Sequence, residues 1–135
     1  MDTLQCAILL AKLERFDWEI AQRIAIGKRY NQLLDEMNFS RVQQRKDRTS
    51  VFAQFTIFCN DREAIQSAFK AVNIPTAVHY PVPLNEQPAY EHLSSPDNTP
   101  VAKEASKLVI SLPMCPDLQF ECIDRIMAIL NHVQG

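Results

Sequence analysis

A chain of 135 residues has the length of one ordinary domain and buries about two-thirds of the surface its unfolded form exposes, enough for a real core. Hydrophobic residues at 47%, charged residues at 22% and a net charge of -2 exclude a disordered, fibrous or strongly basic nucleic-acid-binding chain. The 14 lysines and arginines are scattered, and the densest run, Arg41 to Arg48, is interrupted by Val42, Gln43, Gln44 and Asp47. It reads as a solvated loop rather than a phosphate-binding patch.

The chain opens on a helical pattern. Asp2 with Gln5 three residues later forms a capping box, and Leu4, Ala7, Ile8 and Ala11 follow at helical spacing. The apolar stretch from Ala7 to Ala11 is far short of the ~20 residues that span a membrane. It also lacks the basic lead and small-residue cleavage site of a signal peptide, so a cytoplasmic protein is expected. A second helix is predicted from about 17 to 37, after a bend at Phe16, with Trp18, Ala21, Ile24, Ala25, Leu33, Leu34 and Met37 on its buried side.

Residues 50–59 change to a strand pattern, with Val51, Phe52, Phe55, Ile57 and Phe58 as β-formers and the polar Gln54 and Thr56 on one face. Asn60 with Glu63 reads as a second capping box, opening a helix striped by Ile65, Ala68, Phe69 and Val72 that ends before Pro75. A second strand is predicted over 76–80. All eight prolines fall between Pro75 and Pro116, so this part of the chain reads as extended loop with one short helix, capped by Thr99 and started by Pro100. A third strand covers 108–112, Pro113 and Pro116 break the chain, and Asp117 caps a last helix striped by Phe120, Ile123, Ile126, Met127, Leu130 and Val133. The succession describes an α+β fold with helices packed on one face of a small three-stranded sheet. Gly27 and Gly135 are the two glycines, which rules out Gly-rich phosphate loops.

The best candidate for a functional constellation is Thr76-Ala-Val-His-Tyr-Pro-Val-Pro-Leu84, where a predicted strand delivers His79 and Tyr80 into a loop stiffened by Pro81 and Pro83. An imidazole and a phenol held there can hydrogen-bond or stack on a ligand. From pattern alone the alternative stays open that His79 caps a strand and Tyr80 closes the core edge. His92, in the proline-rich loop, and His132, in the last turn of a helix, are weaker candidates. The serines lack a nucleophile elbow, and the phenylalanines and Trp18 follow core spacing. Cys6, Cys59, Cys115 and Cys122 read as reduced, mostly packed thiols, without the spacing of metal ligands or an adjacent base, so no catalytic or metal-binding residue is assigned.

Asp2-Thr-Leu-Gln-Cys-Ala-Ile-Leu-Leu-Ala-Lys-Leu13, Val51-Phe-Ala-Gln-Phe-Thr-Ile57, Ile74-Pro-Thr-Ala-Val-His-Tyr-Pro-Val-Pro-Leu-Asn-Glu-Gln-Pro88, Leu112-Pro-Met114 and Ile123-Asp-Arg-Ile126 occur in an order that resembles the small domain of DegT/StrS-type sugar aminotransferases. The details are most similar to the branch that aminates a UDP-linked 3-oxo uronic acid sugar. The resemblance implies a small, mainly antiparallel sheet, namely the small domain of a fold-type I pyridoxal-phosphate transferase. It further implies a homodimer that moves an amino group from glutamate to a keto nucleotide sugar for polysaccharide precursors, in a site between a large cofactor domain and this one. His79 and Tyr80 correspond to the loop facing the nucleotide sugar, so their implied role is substrate binding.

In that family the Schiff-base lysine and the aspartate that pairs with the cofactor ring come from the large domain. Lys12, Lys28, Lys46, Lys70, Lys103 and Lys107 stand on predicted helices or in the polar loop, not in a cofactor turn. Residues 1–135 are therefore expected to be a C-terminal small domain, cut at the capped helix beside Met1. Its large domain is absent, it binds no cofactor of its own, and it is inactive alone. The alternative is a stand-alone, non-catalytic binding module of the same fold. The two differ in the opening helix, which a separated domain leaves with an uncovered apolar face and a module covers with polar residues. Glu86, the stretch from Glu91 to Asn98, and Gln119 as a helix cap depart from the family pattern.

Overall fold

The computed structural model describes residues 2–93 and 99–134; most of the departing stretch, Ser94 to Asn98, lies outside the described residues. Helix α1 spans Thr3–Leu13, and the Asp2 side chain accepts from the Gln5 amide at 2.8 Å, so the cap expected from the sequence is present. A short turn leads into α2, Phe16–Glu36. Its buried stripe is Ile26, Tyr30 and Leu34, with Gly27 beside them, rather than the more N-terminal positions from Trp18 to Ala25. The sheet lies against the second half of the helix only. Trp18 sits beyond it, exposed, with the Arg15 guanidinium 4.6 Å from its ring centre.

Strand β1 is Phe55–Phe58, helix α3 is Arg62–Ala71, helix α4 is Pro100–Leu108, strand β2 is Val109–Leu112 and helix α5 is Phe120–Gln134; single 3-10 turns occupy Leu84–Glu86 and Glu91–Leu93. The cap of α3 is Asp61, one residue later than expected, accepting from the Ala64 amide at 2.9 Å. Asp117 does not cap α5, which starts three residues further on; its carboxylate instead meets Arg15 at 3.1 Å. Thr99 and Pro100 do open α4, although the Thr99 hydroxyl turns to Asn85 Oδ1 at 2.9 Å instead of the helix amides.

The sheet has two strands, not the three expected. β1 and β2 pair antiparallel, Phe55 opposite Leu112 and Phe58 opposite Val109. The predicted strand at 76–80 shrinks to one bridge, where Ala77 and Ser111 exchange both backbone hydrogen bonds at 2.7 and 3.3 Å. Pro75 and Pro81 bracket this segment, and residues without an N–H cannot extend a ladder. At the other edge Arg41 bridges to Ile57, so the first residue of the basic run is not solvated: its guanidinium binds Asp35 at 2.8 Å and Asn31 Oδ1 at 2.6 Å.

The core lies on the face of the sheet that carries Phe55, Ile57, Ile110 and Leu112. Ile26, Tyr30 and Leu34 of α2, Ile65 and Phe69 of α3, and Ile123, Ile126, Met127 and Leu130 of α5 pack against it. Each such side chain contributes about 1.5–3 kcal/mol by leaving water. Both α2 and α3 end on asparagines in the left-handed region, Asn38 at φ 51° and Asn73 at φ 58°. In each, the following amide reaches back to the last turn, Phe39 to Leu34 O and Ile74 to Phe69 O, both at 2.9 Å. Two Schellman motifs therefore turn the chain into the sheet in a protein almost without glycine. Among the described residues no helix is long and apolar enough to cross a membrane.

Candidate functional site

Residues alternate across a strand, so the core-facing set leaves Thr56, Phe58, Val109 and Ser111 on the opposite face. Thr56 and Ser111 stand directly opposite each other, and because the Ser111 amide is turned outward to Ala77, their side chains meet; Thr56 Oγ1 lies 3.0 Å from Ser111 Oγ. Two residues after Ala77 the chain sets His79 Nδ1 3.4 Å from the same Ser111 Oγ. A row of polar side chains, Thr56 to Ser111 to His79, thus crosses three chain segments on one face of the sheet.

His79 is half-buried, whereas Tyr80 is 70% exposed, and their rings meet edge to face with centres 5.5 Å apart. Pro81 and Pro83 hold the exit, and the 3-10 turn at Leu84–Glu86 follows. His79 stands between two open clefts. One, about 230 Å³, runs from Gln54 past Ser111 to Met114; the other, about 240 Å³, lies between the Tyr80–Leu84 loop and Ala102 and Ala105 of α4. His92 and His132 are exposed on other elements and join neither cleft.

This row can donate to and accept from a polyhydroxylated or anionic ligand. It is not built as a nucleophile with its base. Ser111 is buried and already hydrogen-bonded to Thr56, and among the described residues no carboxylate orients His79. Cys59 is equally inert, because burial pushes its thiol pKa up and its Sγ donates to Leu108 O at 3.3 Å. No group of three or more His, Cys, Asp or Glu among the described residues is arranged to hold a metal. The sequence singled out His79 and Tyr80; it missed Ser111 and the role of Thr56. A lone hydroxyl inside the apolar run Leu108-Val-Ile-Ser-Leu112 was the signal.

The DegT/DnrJ/EryC1/StrS aminotransferase family pattern matches residues 1–131. The chain belongs to this family. It is 42% identical over 132 residues, 98% of the chain, to the UDP-2-acetamido-2-deoxy-3-oxo-D-glucuronate aminotransferase of Pseudomonas aeruginosa. The crystal structure of a family aminotransferase from Brucella abortus superposes on the whole chain with a TM-score of 0.91 at 32% identity. DesV of S. venezuelae, solved in complex with a ketimine intermediate, superposes on 98% of it with a TM-score of 0.88 at 27% identity. The chain spans 36% of the length of each of these three proteins.

The residues of this chain do not by themselves fit pyridoxal phosphate. Its Schiff-base chemistry needs an amine in the site, and no lysine lines either cleft beside His79. Lys103 and Lys107, the nearest in sequence to β2, are engaged with Glu86 at 3.4 Å and Glu104 at 2.7 Å.

Proposed function

We infer that residues 1–135 form the small domain of a pyridoxal-phosphate-dependent aminotransferase that passes an amino group from glutamate to a keto nucleotide sugar, and that this domain supplies one wall of the sugar pocket. The observation that carries the reading is the polar row Thr56–Ser111–His79 with Tyr80 beside it, on a sheet face that carries none of the helices α2, α3 and α5. Hydroxyls, an imidazole and an exposed phenol are the groups that grip a sugar, and their placement on stiffened backbone limits the entropy lost on binding. The UDP-linked 3-oxo-glucuronate named for the Pseudomonas relative is the substrate class we favour.

The uncovered opening helix supports a domain meant to be completed by further chain. No residue of α1 is buried, and Leu4, Ile8, Leu9, Leu10, Leu13 and the adjoining Phe16 are all exposed. A stand-alone module would present polar residues there. The lysine, the cofactor and the partner subunit of a homodimer belong, on this reading, to the two-thirds of the relatives' length that this chain does not span. We place the enzyme in the cytoplasm, in keeping with its four unpaired thiols.

Incubating the chain alone with pyridoxal phosphate tests the division of labour. The expected result is no aldimine absorbance, while the same chain joined to a lysine-bearing cofactor domain develops it. A stable lysine-linked aldimine on the chain alone contradicts the reading.

A further inference from the structure

A third recess, about 330 Å³, opens beside the polar row, lined among others by Gln43, Arg48, Phe52, Gln54 and Thr56. It adjoins the site already described: Gln54 also lines the cleft at His79, and Thr56 bonds to Ser111. Its volume is at the lower end of the range for small-molecule sites.

The basic residues of this segment are not equivalent. Arg41 is tied to Asp35 and Asn31 under the sheet edge. Arg45 is neutralised by Asp47 through two nitrogens, at 2.9 and 3.0 Å. Arg48 has only a 3.9 Å approach to the same carboxylate among the described residues, and its side chain is 70% exposed. A guanidinium without a close partner, on the rim of a recess, is the group best suited to a bidentate grip on a phosphate. Beside it Val42 and Phe52 give an apolar wall, and the amides of Gln43 and Gln54 make no hydrogen bond to the described residues. An aromatic wall with amides of both polarities is complementary to the flat face and polar edge of a nucleobase.

The wall itself is firmly set. The Phe52 carbonyl accepts from Arg23 at 3.3 Å, its amide donates to Ser50 Oγ at 3.1 Å, and its ring rests where Gly27 leaves room on α2.

We propose that this recess takes the nucleoside diphosphate of the substrate, with Arg48 on the diphosphate, Gln43 and Gln54 on the base edge and Phe52 as the apolar wall, which brings the sugar onto the Thr56–Ser111–His79 row. The assignment rests on the nucleotide-sugar reading above. Isothermal titration of the full-length enzyme containing this chain with UDP and with uridine tests it, the cofactor absorbance band serving as the check that each variant is folded. Arg48→Ala weakens UDP about 10-fold while changing uridine by about twofold at most, and Gln54→Ala weakens both. If UDP binds the wild type and both variants equally, the recess is not the nucleotide site and the nucleotide-sugar reading stands. If the wild type binds no UDP, the nucleotide-sugar reading fails and this assignment with it.

Discussion

Gly27 and Phe52 show how one small side chain sets a loop. A Cβ on Gly27 would stand 2.4 Å from the nearest Phe52 ring carbon, and Phe52 itself holds φ 47°, a left-handed conformation that bulky residues rarely adopt. Gly27→Ala is therefore expected to destabilise the protein by about 1–3 kcal/mol, read as a lower thermal midpoint, through overpacking of a position that its helix propensity alone would improve. Tyr30 is the second residue with a measurable signature. Its hydroxyl donates to Pro113 O at 3.0 Å from the centre of the core, and burial, reinforced by Cys122, pushes its pKa far above the ordinary tyrosine range. Below about pH 10 the phenol is protonated in both folded and unfolded states and adds no slope. Above it the unfolded chain ionises while the folded one holds its proton, so the folded state binds more protons and stability falls as pH rises. Tyr30→Phe is expected to lose about 1 kcal/mol at neutral pH, with Pro113 O left unpaired, and to flatten that alkaline decline in denaturant midpoints.

At the scale of elements, the helices were legible and the sheet was only partly so. Of the stripe expected on α5, Ile123, Ile126, Met127 and Leu130 are buried, because amphipathic periodicity is a property of the helix itself, Val133 is half-buried, and Phe120 at the first position is 49% exposed. Strand 76–80 shrank to one bridge: its partner Ser111 lies far along the chain, and the flanking Pro75 and Pro81, which are local, allow no more. The same distance in sequence hid Ser111 and Thr56, whose hydroxyls meet only when β1 and β2 pair. His79 and Tyr80 were visible because their constraint, Pro81 and Pro83, is local. The helix ends carry their own test. Asn73→Ala is expected to cost about 1 kcal/mol, since alanine resists the left-handed conformation, whereas Asn73→Gly is neutral or stabilising in the same melting series.

The whole molecule divides into a face that is finished and faces that are not. α2, α3 and α5 close the core on one side of the sheet, while α1 stands uncovered and the polar row, with Ser111 itself buried, opens through the clefts at His79, and the chain spans 36% of the length of its Pseudomonas relative. If further chain covers α1, Leu10→Asp costs about 2 kcal/mol in the full-length enzyme and stays within about 0.5 kcal/mol in the isolated chain, a contrast read from parallel denaturation curves. The central claim, that this domain grips the sugar and leaves the cofactor's own chemistry to the rest of the enzyme, is tested most directly by separating the two half-reactions in the full-length protein. His79→Ala and Tyr80→Phe are predicted to leave glutamate-driven amination of the cofactor within about twofold of wild type and to raise the KM for the keto nucleotide sugar about 10-fold or more. An unchanged sugar KM in both variants, or an equal loss in the glutamate half-reaction, would contradict it.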